Sequence, residues 1–123
     1  MNVRISLFVI LGGALGTFIR FYLSGFLPVY NDFPIGTLLV NSLASFMLGY
    51  LYGLLFWGVE VPPELRAFFG IGLCGSLSTF STFSFETFNL IREKEHFLAL
   101  LNVSINVIIT VLLVFLGFIL ARR

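Results

Sequence analysis

Apolar residues run along this chain in four blocks, and within each block the polar positions recur at helical rather than strand spacing. The blocks extend from about Ile5 to Leu27, from Ile35 to about Trp57, from near Leu65 to the charged run at Arg92, and from Phe97 to Leu120. The second block alone has 23 residues, which makes ~35 Å of helix, enough to cross a hydrocarbon core of ~30 Å. Between the blocks lie a connection carrying Pro28, Asn31, Asp32 and Pro34, a second from Gly58 to Glu64 with Pro62 and Pro63, and the mixed-charge run REKEH from Arg92 to His96, read as a solvated connector. The pattern predicts an all-α membrane protein with four transmembrane helices in a single domain over residues 1–123.

The polar positions differ from block to block. In the first, Gly12, Gly13 and Gly16 include a GxxxG pair suited to close helix approach. Arg20 lies about two turns before the end of that block, where it either snorkels toward headgroups or faces an aqueous vestibule. In the second, Thr37, Asn41, Ser45, Gly49 and Gly53 recur every fourth residue and form one stripe, polar at one end and small at the other. Asn41 brings two donors and an acceptor that lipid leaves unpaired, so it forms either an interhelical hydrogen bond or part of a polar route. The fourth block repeats the device with Asn102, Asn106 and Thr110.

The third block departs furthest from a plain membrane helix. Its stretch GIGLCGSLSTFSTFSFE, Gly70 to Glu86, combines clustered glycines, hydroxyls, spaced phenylalanines and a carboxylate. Gly70, Gly72 and Gly75 followed by Ser76, Ser78 and Thr79 predict a helix broken near its middle, with freed carbonyls able to face a cation. If helix resumes near Thr79, a 100° step places Thr79, Phe80, Thr82, Phe83, Glu86 and Thr87 on one face. Phenylalanines among hydroxyls and a carboxylate suit a pathway wall better than lipid contact or a dry core.

Composition narrows the class. The chain is 59% hydrophobic and 11% charged, with a mean hydropathy of +1.05, so the bilayer is its solvent. A net charge of +1 gives no basic field for nucleic acid. One cysteine, Cys74, and one histidine, His96, make neither a disulfide nor a metal site, and no nucleophile-base pair supports an enzyme. Arg4 before an apolar run imitates a signal peptide, but no cleavage site of the usual kind follows, and the segment is expected to be retained. Four spans place Arg4, Arg66, Arg122 and Arg123 on one side and Arg20, Arg92 and Lys94 on the other. So even a balance hardly selects one insertion, and a chain inserting both ways can pair with its inverted copy.

Three motifs in order, GGALGTFIR from Gly12 to Arg20, GTLLVN from Gly36 to Asn41 and GLCGSLSTFSTF from Gly72 to Phe83, strongly resemble the Fluc/CrcB family of fluoride channels over essentially the whole chain. The resemblance implies an antiparallel dual-topology homodimer in the cell membrane, with two pores through which fluoride leaves the cytoplasm passively. It implies that Phe80 and Phe83 line the pores, offering the positive ring edge to an anion, and that Asn41 contacts the ion as a neutral donor. Thr37, Glu86 and Arg20 match further positions on the route, with Arg20 at the vestibule. Ser81, Thr82, Asn102, Asn106 and Thr110 complete the expected fluoride pathway. A structural sodium ion at the dimer interface is implied on the backbone carbonyls of Gly75 and Ser78.

Two departures from the family pattern stand out. Ser78 occupies a position usually held by threonine, a mild change where a carbonyl is the ligand. Asn102 and Asn106 stand where hydroxyl residues are expected. Glu86 on an anion route is expected to tune a neighbouring polar site rather than to bind fluoride. The competing readings are a small four-span multidrug exporter, which needs a carboxylate in its first span where this chain has none, and a non-conducting structural subunit.

Overall fold

The computed structural model describes residues 2–27 and 32–122. Four helical spans of 24, 22, 30 and 25 residues are long and apolar enough to cross a membrane, as the hydrophobic blocks predict. The spans are α1, Val3–Phe26, α2, Ile35–Phe56, a compound third span, and a final helix, His96–Leu120. Pro28 and Asn31, read as part of the first connection, lie outside the described residues.

The third span is assembled from pieces. A short α3, Pro63–Arg66, opens it with proline at the first helical position, where the missing N–H costs nothing. The helix therefore starts two residues earlier than the run of prolines suggests. Ala67–Leu73, sequence AFFGIGL, is π-helical, and α4, Cys74–Leu77, follows. Ser78 and Thr79 are extended, at ψ 157° and 118°. Helix resumes as α5, Phe80–Arg92, with Thr79 as its N-cap: the Thr79 side chain accepts from Thr82 N–H. The final helix, His96–Leu120, is α6.

Glycines set how closely these pieces approach. A Cβ at Gly12 would strike the Phe68 carbonyl, one at Gly16 the Ser76 hydroxyl and the Leu73 carbonyl, and one at Gly72 would come within 2.6 Å of the Val9 carbonyl. Gly12 and Gly16 thus seat α1 against the π-helical segment and α4, the close contact that their GxxxG spacing anticipates. Ser76 completes this seam by donating across it to Gly13 O at 2.9 Å. Gly49 and Gly53 of α2 likewise meet α6 at Val114, Phe118 and Ala121, while Gly117 of α6 meets α2 at Phe46 and Tyr50. The small dry core lies between these seams and consists of Val40, Ala44, Leu73, Cys74 and Leu77. At the chain's C-terminal end Arg122 lies over the Trp57 ring, 5.2 Å from its centroid, an arrangement suited to a membrane interface.

A candidate anion site at the helix break

The break leaves backbone groups that hydrocarbon cannot satisfy, and the surrounding helices supply their partners. Thr79 N–H donates to Asn41 Oδ1 at 2.8 Å, while Asn41 Nδ2 lies 3.4 Å from Thr79 O. Asn41 therefore clamps the main chain of α5 at its first turn. Because Thr79 N–H turns to Asn41, the carbonyl of Gly75 loses the donor that a continuous helix would have brought it. Ser78 O accepts from Arg20 Nη1 at 3.4 Å. Arg20 reaches the break itself rather than snorkelling outward, and its contact there is a carbonyl.

A groove of about 400 Å³ lies beside the break, lined by Asn41, Ser45, Ser78, Thr79, Phe80, Phe83, Asn106, Val107, Thr110 and Val111. The rings of Phe80 and Phe83 are 5.5 Å apart and tilted by 50°. They face different surroundings, since Phe83 is 9% exposed and Phe80 80% exposed. Among the described residues, the lining contains no charged side chain.

Of the expected pathway residues, Asn41, Phe80, Phe83, Asn106 and Thr110 converge on this groove. Thr37 and Glu86 meet each other elsewhere, Thr37 Oγ1 donating to Glu86 Oε1 at 2.6 Å. The second carboxylate oxygen is buried with no protein partner. Asn102 is fully buried behind the groove, 0% exposed, where it donates to Thr87 Oγ1 at 3.0 Å. Ser81 and Thr82 lie on the exposed side of α5, with Thr82 Oγ1 accepting from the Thr79 hydroxyl at 3.0 Å. Ser45, Thr79 and Thr87 belong to the site's fabric although the expected pathway omits them. Each has a signal in the sequence: Ser45 sits on the four-residue stripe of α2, and Thr79 and Thr87 sit on the hydroxyl face of α5.

These features define a multi-pass helical protein of the cell membrane in which polar side chains from separate spans converge on a broken helix. The family model described as "CrcB-like protein, Camphor Resistance (CrcB)" matches residues 7–118, and the chain belongs to that family. Over 100% of both chains it is 72% identical to the fluoride-specific ion channel FluC of Thermococcus onnurineus and 68% identical to that of Thermococcus kodakarensis. A more distant relative of the same name, from Methanocaldococcus jannaschii, is 46% identical over 97% of this chain and 95% of its own.

Proposed function

We propose that the chain is a passive, fluoride-selective channel that lets fluoride leave the cytoplasm. The observation that carries this reading is the character of the groove, whose lining is uncharged and brings amide and hydroxyl side chains and aromatic rings together with no carboxylate. The Asn41 amide suits a small anion, because one of its hydrogens has only a 3.4 Å contact with Thr79 O, whereas Asn106 Nδ2 donates to Asn102 and Thr110 Oγ1 to Asn106 O. The edges of Phe80 and Phe83 present C–H groups without an oxygen to repel the ion. The relatives bearing the fluoride-channel name support the identity of the ion. Arg20, drawn to the break by Ser78 O, supplies positive potential nearby. Glu86 tunes the polar site it shares with Thr37.

One copy leaves the groove incomplete. Phe80, Ser81, Thr82 and Gly75 are exposed, and polar backbone at membrane depth needs protein or water to cover it. An inverted second copy supplies that cover, which makes the working unit an antiparallel homodimer with two pores. A sodium ion belongs at the interface of the two copies. The freed carbonyl of Gly75 fits such an ion as a hard oxygen donor, with open space over the Gly75 Cα, and the carbonyl of Ser78, which accepts from Arg20 Nη1 over 3.4 Å, fits it through its second lone pair. When bound, the ion neutralises carbonyl dipoles converging from two chains.

Fluoride efflux from liposomes holding the purified protein, with chloride as control, tests the reading. Rapid uncoupled fluoride efflux is expected, slowed by Phe80→Ile and by Phe83→Ile. Well-folded protein that releases no fluoride overturns it in favour of a non-conducting subunit. Replacing sodium by a bulky organic cation is expected to slow efflux, and unchanged efflux on prolonged dialysis removes the sodium assignment alone.

A further inference from the structure

The three asparagines around the break are joined head to tail in one run of hydrogen bonds. It starts at Thr79 N–H, which donates to Asn41 Oδ1 at 2.8 Å. Asn41 Nδ2 donates to Asn106 Oδ1 at 3.3 Å, and Asn106 Nδ2 to Asn102 Oδ1 at 2.9 Å. Asn102 Nδ2 then donates to Thr87 Oγ1 at 3.0 Å, and the Thr87 hydroxyl donates to the Phe83 carbonyl at 2.8 Å. The run leaves the N-cap of α5, crosses α2 and α6, and returns to α5 at Phe83, one of the two ring residues of the groove.

The Thr79 end fixes its direction. A backbone N–H only donates and a carbonyl only accepts. Asn41 must therefore turn its oxygen to Thr79, which leaves its nitrogen for Asn106, and each amide dictates the orientation of the next. The middle of the run is dry, with Asn102 0% and Asn106 5% exposed. Reversing Asn106 sets its nitrogen against Asn41 Nδ2 and its oxygen against the two Asn102 oxygens, and reversing Asn102 sets its nitrogen against Asn106 Nδ2, with no water to relieve either.

We propose that Asn106, Asn102 and Thr87 are positioning residues for Asn41, holding its amide so that the edge left to the groove is a donor and never the carbonyl oxygen. The inference rests on the fluoride-channel reading and assigns Asn102 a role from behind the wall. An Asn41 free to flip would turn a repelling oxygen toward the anion. Head-to-tail alignment also polarises each amide in turn. The second hydrogen of Asn41 Nδ2 has only the 3.4 Å contact with Thr79 O, the longest of the amide's contacts and the one an anion displaces most readily.

Thr87 gives the cleanest test, because it does not itself line the groove and Thr87→Val keeps its shape while breaking two links at once. Thr87→Val is expected to slow fluoride efflux roughly threefold to tenfold, the span of one intramembrane hydrogen bond expressed as a rate, with Thr87→Ser restoring it. In an Asn106→Leu background Thr87→Val is expected to add nothing. A second readout needs no conduction: in 15N-labelled protein the side-chain amide resonance of Asn41 is expected to move in Thr87→Val and to stay in place in Ser104→Ala, a change on α6 outside the run. Thr87→Val protein with wild-type efflux and an unmoved Asn41 resonance overturns the proposal, as does equal loss in the serine and valine variants. If wild-type protein conducts no fluoride, the channel reading falls, and the resonance alone decides whether the relay exists.

Discussion

The α2–α6 pair ends in two opposite ways. At one end Gly49, Gly53 and Gly117 let the backbones touch, and a Cβ at Gly53 would lie 2.7 Å from that of Ala121 and 2.8 Å from the Phe118 carbonyl. At the other end, Asn41 ties α2 to the broken span at Thr79 and to α6 at Asn106, and Asn41, Ser45, Asn106 and Thr110 border a groove. The four-residue repeat of α2 is the same at both ends. What changes is only the length and polarity of the side chain at each repeat. A dry close seam anchors the pair, so its polar end can stay open without the helices drifting apart.

Breaking the seam should have the largest effect. In Gly49→Val the new side chain meets the Val114 carbonyl and its backbone neighbours, which cannot rotate away. Overpacking of this kind costs about 1–3 kcal/mol in a soluble core, and against main chain the cost sits at the upper end or beyond. Folded, monodisperse protein in detergent is expected to be largely lost, as size-exclusion chromatography would show. Recovery of wild-type yield would mean that α2 and α6 do not rely on backbone contact.

Next in size comes the polar end. Asn41→Leu removes the acceptor of Thr79 N–H, and an orphaned buried donor costs about 1–3 kcal/mol. Both a lower unfolding temperature and loss of fluoride efflux are expected. Asn41→Asp separates the two effects. It retains an oxygen for Thr79 but removes both donors and adds a carboxylate to an otherwise neutral lining, so efflux should vanish while more of the stability survives. Equal stability loss in both variants would mean that Asn41 does not clamp the break.

A smaller effect is expected at Thr37→Val. Thr37 Oγ1 is the only protein partner of the Glu86 side chain among the described residues, and a hydrogen bond to a charged group contributes about 1.5–3 kcal/mol when fully formed in the interior. Glu86 is only half-buried, which brings the expected loss down to about 1 kcal/mol. Efflux should change in both Thr37→Val and Glu86→Gln, and in the same direction. If Glu86→Gln leaves fluoride current as in wild type, the carboxylate has no tuning role.

Much of this arrangement was legible in the chain itself. The four spans follow from apolar runs too long for anything but a membrane crossing, and the seam and the polar end of α2 follow from a repeat visible without any partner. The break is legible because Gly75, Ser76, Ser78 and Thr79 weaken helix locally, and the resumption at Phe80 gives Thr79 its capping role. The π-helical Ala67–Leu73 is not legible, since it lies in close backbone contact with a distant helix, Gly12 and Gly16 of α1 on one side and its own Gly72 on the other, and periodicity does not show which helix a segment will meet. The Asn41–Thr79 clamp joins residues 38 apart and the Arg20–Ser78 contact residues 58 apart. Periodicity shows that such groups need partners and is silent on which partner each one finds.

The smallest expected effect sharpens the comparison most, because it sets glycines of one motif against each other. Gly12 and Gly16 are buried in the α1 seam, whereas a Cβ at Gly13 meets nothing within 4 Å in the single chain. On the chain alone, Gly13→Ala should be neutral or stabilising by a few tenths of a kcal/mol, since alanine is the better helix former and loses less backbone entropy. Gly12→Ala should be strongly destabilising through its clash with the Phe68 carbonyl. An antiparallel partner seated on the Gly13 face reverses the first expectation, because the new methyl would then separate the two copies. Thermal unfolding of Gly13→Ala at several protein-to-detergent ratios distinguishes the cases: a loss of stability that grows on dilution places a second copy against α1 at Gly13, and a dilution-independent gain leaves the Gly13 face free of any second copy.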